Sequence, residues 1–337
     1  MWSCSHSASR SILELHMNIS GVLPVHNGEL FIENSLPGIL STLRQDDELI
    51  IINNGSSDLS GKLLKHWSSQ DSRIKLITTK NPNLVEALNI GIQASKNDWV
   101  ARFDIDDMYK PERLSRQRES VTKKTVAVFS DYEFIKTNGE TLGVIPSAIF
   151  PPAVSVSLVS SQRTPHPSVI FSKEAVESVG GYRNEDFPAE DLSLWLRLSR
   201  VGNLTSIPIP LLRYRLNQGS VSEKNRQVIK DKTRSLYESI GVHKVDITDV
   251  INSSEAILNS YEQYSQGEIR KILLIKELLS ITIISKNRNE NYSKRVKSII
   301  QDFIPKTIFK TQEYHAYYDF LMMRYQRTKY RSKIKNE

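Results

Sequence analysis

Four short apolar runs, with polar and helically spaced stretches between them, open the chain. They cover residues 18–25 (NISGVLPV), 48–52 (ELIII), 74–77 and 99–103; the first two have the signature of buried strands, and the other two read as a third and a fourth strand. A mostly helical stretch follows the first run, and Pro37 and Gly38 are expected to interrupt it. Ser57 or Asp58 can cap a helix that ends near Trp67, and residues 84–94 carry apolar side chains at helical spacing. Apolar strands alternating with helices predict an α/β fold whose mostly parallel central sheet is covered on both faces. After Lys110 the pattern loosens. Residues 126–130 predict one more strand, and Pro146, Pro151 and Pro152 mark a long irregular link. From about Ser222 the chain is helical in character and poor in Gly and Pro, which sets a boundary there. The longest apolar run, residues 272–284, is cut by Lys276 and Glu277. It predicts a buried helix, since a membrane span needs about 20 apolar residues.

Composition narrows the class. With 337 residues, 39% hydrophobic and 25% charged, the chain can build one large domain plus an appendage, or two ordinary domains. Collagen-like, disordered and disulfide-scaffold classes are excluded. Cys4 is the only cysteine, so no internal disulfide forms and a reducing, cytoplasmic compartment is expected. Residues 1–16 lack the positive charge, apolar stretch and cleavage site of a targeting peptide. Met17 directly precedes the first strand, so 1–16 is expected to be a disordered extension. The net charge of +7 is uneven: residues 306–337 hold eight Lys or Arg against three Asp or Glu, a net +5. A basic tail suits an anionic membrane face or nucleic acid equally, but no RNA- or DNA-binding motif accompanies it. Residues 311–329 set Tyr314, Tyr317, Tyr318, Leu321, Met322 and Tyr325 among basic residues. They predict a helix, either packed on the catalytic domain or lying peripherally on a membrane that presents lipid-linked acceptors.

Candidate chemistry clusters at the predicted strand ends, where open α/β sheets bind ligands. The first strand ends in Pro24-Val25-His26-Asn27, the second in Asn53-Asn54-Gly55 and the fourth in Asp104-Ile105-Asp106-Asp107. Three acids within four residues repel unless a proton or cation neutralises them, and hard divalent cations such as Mn²⁺ and Mg²⁺ bridge carboxylates to substrate phosphates. Taken alone, Asp-x-Asp also fits the first turn of a solvated helix. A second acidic pair, Glu190-Asp191, directly precedes the helically spaced run LSLWLRL. It reads either as helix capping or as a general base for an acceptor hydroxyl. His166, between Pro165 and Pro167, is rigidly placed and reads as a structural hydrogen bonder or an acceptor-side residue.

In order and spacing these segments resemble the family 2 glycosyltransferases over about residues 18–222. VLPVHNG resembles the family's opening strand, IIINNGSSD its Val-Asp-Asp-Gly-Ser-Thr-Asp segment, and LVEALNIGIQASKNDWVARFDIDD the run into its Asp-x-Asp motif. MYKPERL, HPSVIFSKEAVESVGGYR, AEDLSLWLRLSRVG and YRLNQGSVS follow in the family's order. The resemblance implies a GT-A fold: a catalytic domain over 17–222, and beyond it a helical C-terminal region over 223–337. It implies Asp106 as the main metal ligand, with Asp104 supporting the metal or the ribose and Asp107 beside them, toward the acceptor side with His166. Pro24, His26, Asn27 and Asp58 would line the nucleotide, Asn54 would face the base, and Asp191 would be the catalytic base with Glu190 at its side.

Two departures from that pattern stand out. Asn53 and Asn54 replace two aspartates, and Asn83 replaces a common glycine. An asparagine can accept through its carbonyl oxygen and donate through its amide, which suits uracil better than guanine. The expected activity is inverting transfer of a sugar from a UDP-sugar to a glycan or lipid-linked hydroxyl in cell-surface polysaccharide synthesis, with Mn²⁺ or Mg²⁺. The alternative is an inactive sugar-nucleotide- or glycan-binding module on the same fold.

Overall fold

The computed structural model describes residues 17–145, 164–216 and 224–239. Outside them lie the expected extension at 1–16, the proline-marked link, the boundary near Ser222, the apolar run at 272–284 and the basic aromatic tail. Of two compact units, the first comprises Met1–Ser147 and Thr164–Arg215. It holds the sheet and every candidate site residue.

The four expected strands all form. β1 (Ile19–Val25) and β2 (Glu48–Asn54) are buried at every position, as strands covered on both faces must be. β3 (Ile74–Thr79) pairs with β2, and β4 (Trp99–Arg102) pairs with β1; β1, β2, β3 and β4 run parallel. The connecting helices are α1 (Glu29–Ser41), α2 (Ser60–Gln70) and α3 (Leu84–Ala94). Contrary to expectation, α1 runs straight through Pro37. The Pro37 ring lies on the exposed face, while Ile32, Leu36, Ile39 and Leu40 bury the other, so packing holds the turns on either side. Helix α3 packs tightly on the sheet at Gly91, where a Cβ would collide with Val22 Cγ1 and sit 3.0 Å from Ile52 Cδ1.

Beyond β4 the sheet becomes mixed. Further elements are β5 (Met108–Tyr109), α4 (Arg113–Glu119), β6 (Thr125–Ile135), β7 (Thr141–Ile145), β8 (Ile170–Ser172), α5 (Lys173–Ser178), α6 (Glu190–Leu198) and β9 (Asn203–Arg215). The nine strands run β3-β2-β1-β4-β8-β6-β9-β5, with β7 on β6. Strand β8 is antiparallel to β4 and β6, whereas β6 and β9 are parallel. In the second unit, the described helix is α7 (Arg226–Ser239).

A buried ion pair fastens the start of β1. Arg118 Nη2 of α4 meets Asp47 Oδ1 and Oδ2 at 2.6 and 2.5 Å, with both side chains at most 1% exposed. Asp47 also accepts the Ile19 and Arg44 N–H groups at 2.7 Å each. The chain moves outward from β1 through β2 to β3, then returns to pair β4 on the other side of β1. A reversal of this kind opens a crevice at the carboxyl ends of the central strands, the usual ligand position in such sheets.

Candidate active site

The acidic turn after β4 is built from buried parts. Arg102, 3% exposed, ends β4; its Nη2 meets Asp104 Oδ1 at 2.8 Å and its Nη1 donates to the Phe103 carbonyl. The Tyr109 hydroxyl accepts the Asp104 N–H at 2.6 Å. From the end of β9, Arg215 clamps the turn: its backbone N–H reaches Asp107 Oδ1 at 2.8 Å and its Nε the Asp106 carbonyl at 2.7 Å. Asp107 is 2% exposed, and its Oδ2 is buried without a hydrogen-bond partner. Burial, then the charges of Asp106 and Asp104, push its carboxyl well above the usual range.

The second acidic pair heads α6 as expected. The N-cap itself is Ala189, with no side-chain cap, so these acids serve the helix only from within its first turn. Asp191 Oδ1 instead accepts the next residue's N–H at 2.7 Å. Glu190 is 6% exposed with Oε2 buried and unpartnered. Burial, then the charge of Asp191, raises its carboxyl to about 7. Asp191 is raised too, chiefly by burial. Arg102 lowers and Asp104 raises both carboxyls. The strand-end acids and the helix-head acids therefore share one electrostatic field, although 83 residues or more of sequence separate Asp107 from Glu190.

On the β1–β2 side, reciprocal hydrogen bonds staple two loops together. Asn27, in the left-handed region at φ 51, receives Ser57 N–H at 2.9 Å and donates its own N–H to Ser56 Oγ at 3.1 Å. Asp58 accepts from Glu29 N–H and Ser60 N–H at 3.2 and 3.0 Å, so its carboxylate braces the loop rather than standing open. His26 Nδ1 lies 2.9 Å from the Asn54 carbonyl, and Pro24 is buried within β1. Asn54, 4% exposed, has its Oδ1 occupied by the Asn83 N–H at 2.9 Å. Asn83 in turn caps α3 by accepting the Glu86 N–H at 3.1 Å. Neighbouring Asn53 keeps a buried, unpartnered Oδ1.

His166 stands behind α6. Its Nε2 lies 2.6 Å from the Tyr182 hydroxyl and its ring 5.8 Å from that of Trp195. Burial and the nearby Arg102 charge hold its imidazole well below the ordinary range, so it is neutral and serves as a hydrogen bonder. Tyr182 is itself fixed by Asn89, which exchanges hydrogen bonds with both its N–H and carbonyl at 3.0 and 2.9 Å. Sequence reasoning missed Arg102, Tyr109, Tyr182 and Arg215. A charged residue within the apolar run WVARF was the available signal for Arg102.

Among the described residues no three His, Cys, Asp or Glu side chains close into a metal cage. An open site, in which a diphosphate supplies most of the coordination, needs only one or two carboxylates. Three carboxylates in four residues, with one buried oxygen of Asp107 left over, suit a hard divalent cation.

Comparisons with known proteins agree with this geometry. The family profile "Glycosyl transferase family 2" matches residues 20–154. The O-antigen biosynthesis glycosyltransferase WbnJ of Escherichia coli is 30% identical over 230 residues, 65% of this chain and 88% of that protein. An Escherichia coli UDP-Gal:alpha-D-GlcNAc-diphosphoundecaprenol beta-1,3-galactosyltransferase is 31% identical over 179 residues, 51% of this chain and 64% of its own. Among solved structures, Staphylococcus aureus TarS 1-349, determined with UDP-GlcNAc, superposes with a TM-score of 0.56 at 13% identity, covering 79% of this chain and 81% of that one. That likeness shows the GT-A fold.

Proposed function

The chain belongs to glycosyl transferase family 2, and on that premise we propose that it transfers a sugar from a uridine-diphosphate donor to a glycan or lipid-linked hydroxyl, with inversion. Two acid clusters support this reading: Asp104, paired with the buried Arg102 at the end of β4, and Glu190-Asp191, which heads α6 with one Glu190 oxygen buried and unpartnered. One cluster suits a charged leaving group and the other suits a proton acceptor. The relatives whose names specify O-antigen biosynthesis and a galactosyl transfer to a diphosphoundecaprenol-linked sugar support a role in cell-surface polysaccharide synthesis.

In this mechanism Asp106 and Asp104 would hold a Mn²⁺ or Mg²⁺ ion, which would supply positive charge against the departing diphosphate. Arg102 and Tyr109 position Asp104, and Arg215 fixes the turn through Asp106 and Asp107. Asp191 receives the proton of the acceptor hydroxyl as that oxygen attacks the anomeric carbon from the face opposite the diphosphate. Its raised affinity for protons suits that role, because a base works best with a pKa near the working pH. A single displacement inverts the configuration and requires no covalent sugar–enzyme intermediate. A lipid-linked acceptor would bring the enzyme to the cytoplasmic face of a membrane, where the net +5 of residues 306–337 attracts anionic lipid. Among the described residues no helix is long and apolar enough to cross one.

Asp191→Asn tests the reading. Transfer should fall by about 10²-fold or more, while UDP binding in Mn²⁺ stays near that of the wild type. Near-normal turnover would remove Asp191 from the base role. A wild type that binds UDP-sugars in Mn²⁺ yet releases no UDP, with or without acceptor, would instead be an inactive binding module.

A further inference from the structure

Helix α3 and its N-cap reach, through Asn89 and Asn83, the segment that leads into the α6 acids. Asn89 exchanges hydrogen bonds with the Tyr182 N–H and carbonyl. Asn83, the N-cap, has each of its polar groups engaged in a different direction. Its backbone N–H donates to Asn54 Oδ1 at the buried end of β2, at 2.9 Å, and its carbonyl accepts the Ala87 N–H at 3.0 Å. Its Oδ1 accepts the Glu86 N–H at 3.1 Å. A backbone N–H can only donate, so the oxygen of the Asn83 amide is fixed in place and the NH₂ group faces the other way. There it donates to Asn184 Oδ1 at 3.1 Å, across 101 residues of sequence. Asn184 opens the short turn Asn184–Asp186. The Asp186, Phe187 and Ala189 N–H groups close this segment on the carbonyls of Arg183, Asn184 and Asp186. Asp186 also accepts the Ser193 hydroxyl of α6, the helix headed by Glu190 and Asp191. A glycine at position 83 would supply neither the cap nor the bridge.

We propose that Asn83 is a positioning residue whose bridge to Asn184 ties the segment leading to Glu190 and Asp191 to the end of β2, so that a nucleotide held at that end steadies the segment. The proposal rests on the sugar-nucleotide reading above, which sets the nucleotide at the carboxyl ends of β1 and β2. Two lines of contact meet at Asn83, one from Asn54 and one from Asn184. A ligand that restrains the end of β2 restrains Asn83, and a restrained Asn83 gives Asn184 a fixed partner, so ordering at one place lowers the cost of ordering at the other. The bridge is exposed and uncharged, and a net hydrogen bond of that kind shifts a local opening equilibrium by about two- to tenfold. That leaves the fold intact while changing how often the acids stand in register with the donor, and small misplacements of reacting groups are costly to rate.

Hydrogen exchange over residues 182–191 of the full chain, with and without UDP and Mn²⁺, tests this. In the wild type the ligand should slow exchange of the Asp186, Phe187 and Ala189 amides by about threefold or more. Asn83→Ser keeps the cap, because serine accepts well at that position, but is too short to reach Asn184. Asn184→Ala breaks the same bond from the other end. Each variant should bind UDP within about threefold of the wild type by calorimetry yet lose the ligand-dependent slowing, and the double variant should behave like either single one. Asn83→Asp caps the helix and accepts from the Asn184 amide once that amide turns over, so it should retain the slowing. Slowing that survives in folded Asn83→Ser or Asn184→Ala overturns the proposal. So does a wild type that binds UDP without slowing, or an Asn83→Asp that behaves like Asn83→Ser. A wild type that does not bind UDP overturns the sugar-nucleotide reading itself, a result distinct from these.

Discussion

Glu190 sits where the proposed chemistry and the stability of the fold oppose each other, and Glu190→Gln measures the conflict. The side chain is 6% exposed and one of its oxygens has no partner. Burial and the neighbouring Asp191 raise its carboxyl from 4.5 to about 7. A raised acid favours the protonated native state, so its contribution to stability is whole below the unfolded value and is lost as pH rises through about 7. The rise from 4.5 to about 7 makes the ionised side chain cost about 3 kcal/mol above pH 8. Glutamine keeps the shape and never ionises. The variant should therefore gain on the wild type by about 2–3 kcal/mol between pH 5 and pH 8.5, measured by urea denaturation at both pH values. In a domain of this size that is a relative rise in melting temperature of several degrees. A difference between the two proteins that holds constant within about 0.5 kcal/mol across that range would refute the burial argument.

Two further outcomes follow from the same geometry. In the proposed mechanism Asp191 must be ionised and burial raises its carboxyl, so log(kcat/KM) should fall toward acid pH, with the fall starting above the ordinary aspartate range; an acid limb lying in that ordinary range would contradict it. Arg118→Ala strands the buried Asp47 carboxylate and should destabilise the protein by about 3–5 kcal/mol, towards the lower end because Ile19 and Arg44 N–H groups still serve Asp47. A loss under about 1 kcal/mol in urea denaturation would show the pair contributes little.

The parallel half of the fold was legible chiefly because β1 and β2 are buried at every position and so read as apolar runs, while the half-exposed β3 showed only through Ile74, Leu76 and Ile77. The other half was not. Strand β8 has only three residues, and β9 contains two prolines and shifts register against β6, so neither carries a periodic signal. The interruption expected at Pro37 failed because tertiary packing of Ile32, Leu36, Ile39 and Leu40 outweighs one lost hydrogen bond. Candidate acids were visible as motifs, but the residues that position them were not. Arg102 reads as one polar letter in a strand, and Arg215 lies 108 residues from the Asp107 carboxylate that accepts its N–H. The orientation of the Asn54 amide depends on the Asn83 backbone 29 residues away, which no local pattern records.

The account stands on the acids that end β4 holding a divalent cation against a diphosphate. Calorimetry of UDP binding with and without Mn²⁺, in the wild type and in Asp106→Ala, tests that most directly. Mn²⁺ should tighten binding to the wild type by about tenfold or more and leave binding to folded Asp106→Ala unchanged. Equal wild-type affinity with and without the ion, or full metal dependence surviving in Asp106→Ala, would contradict it.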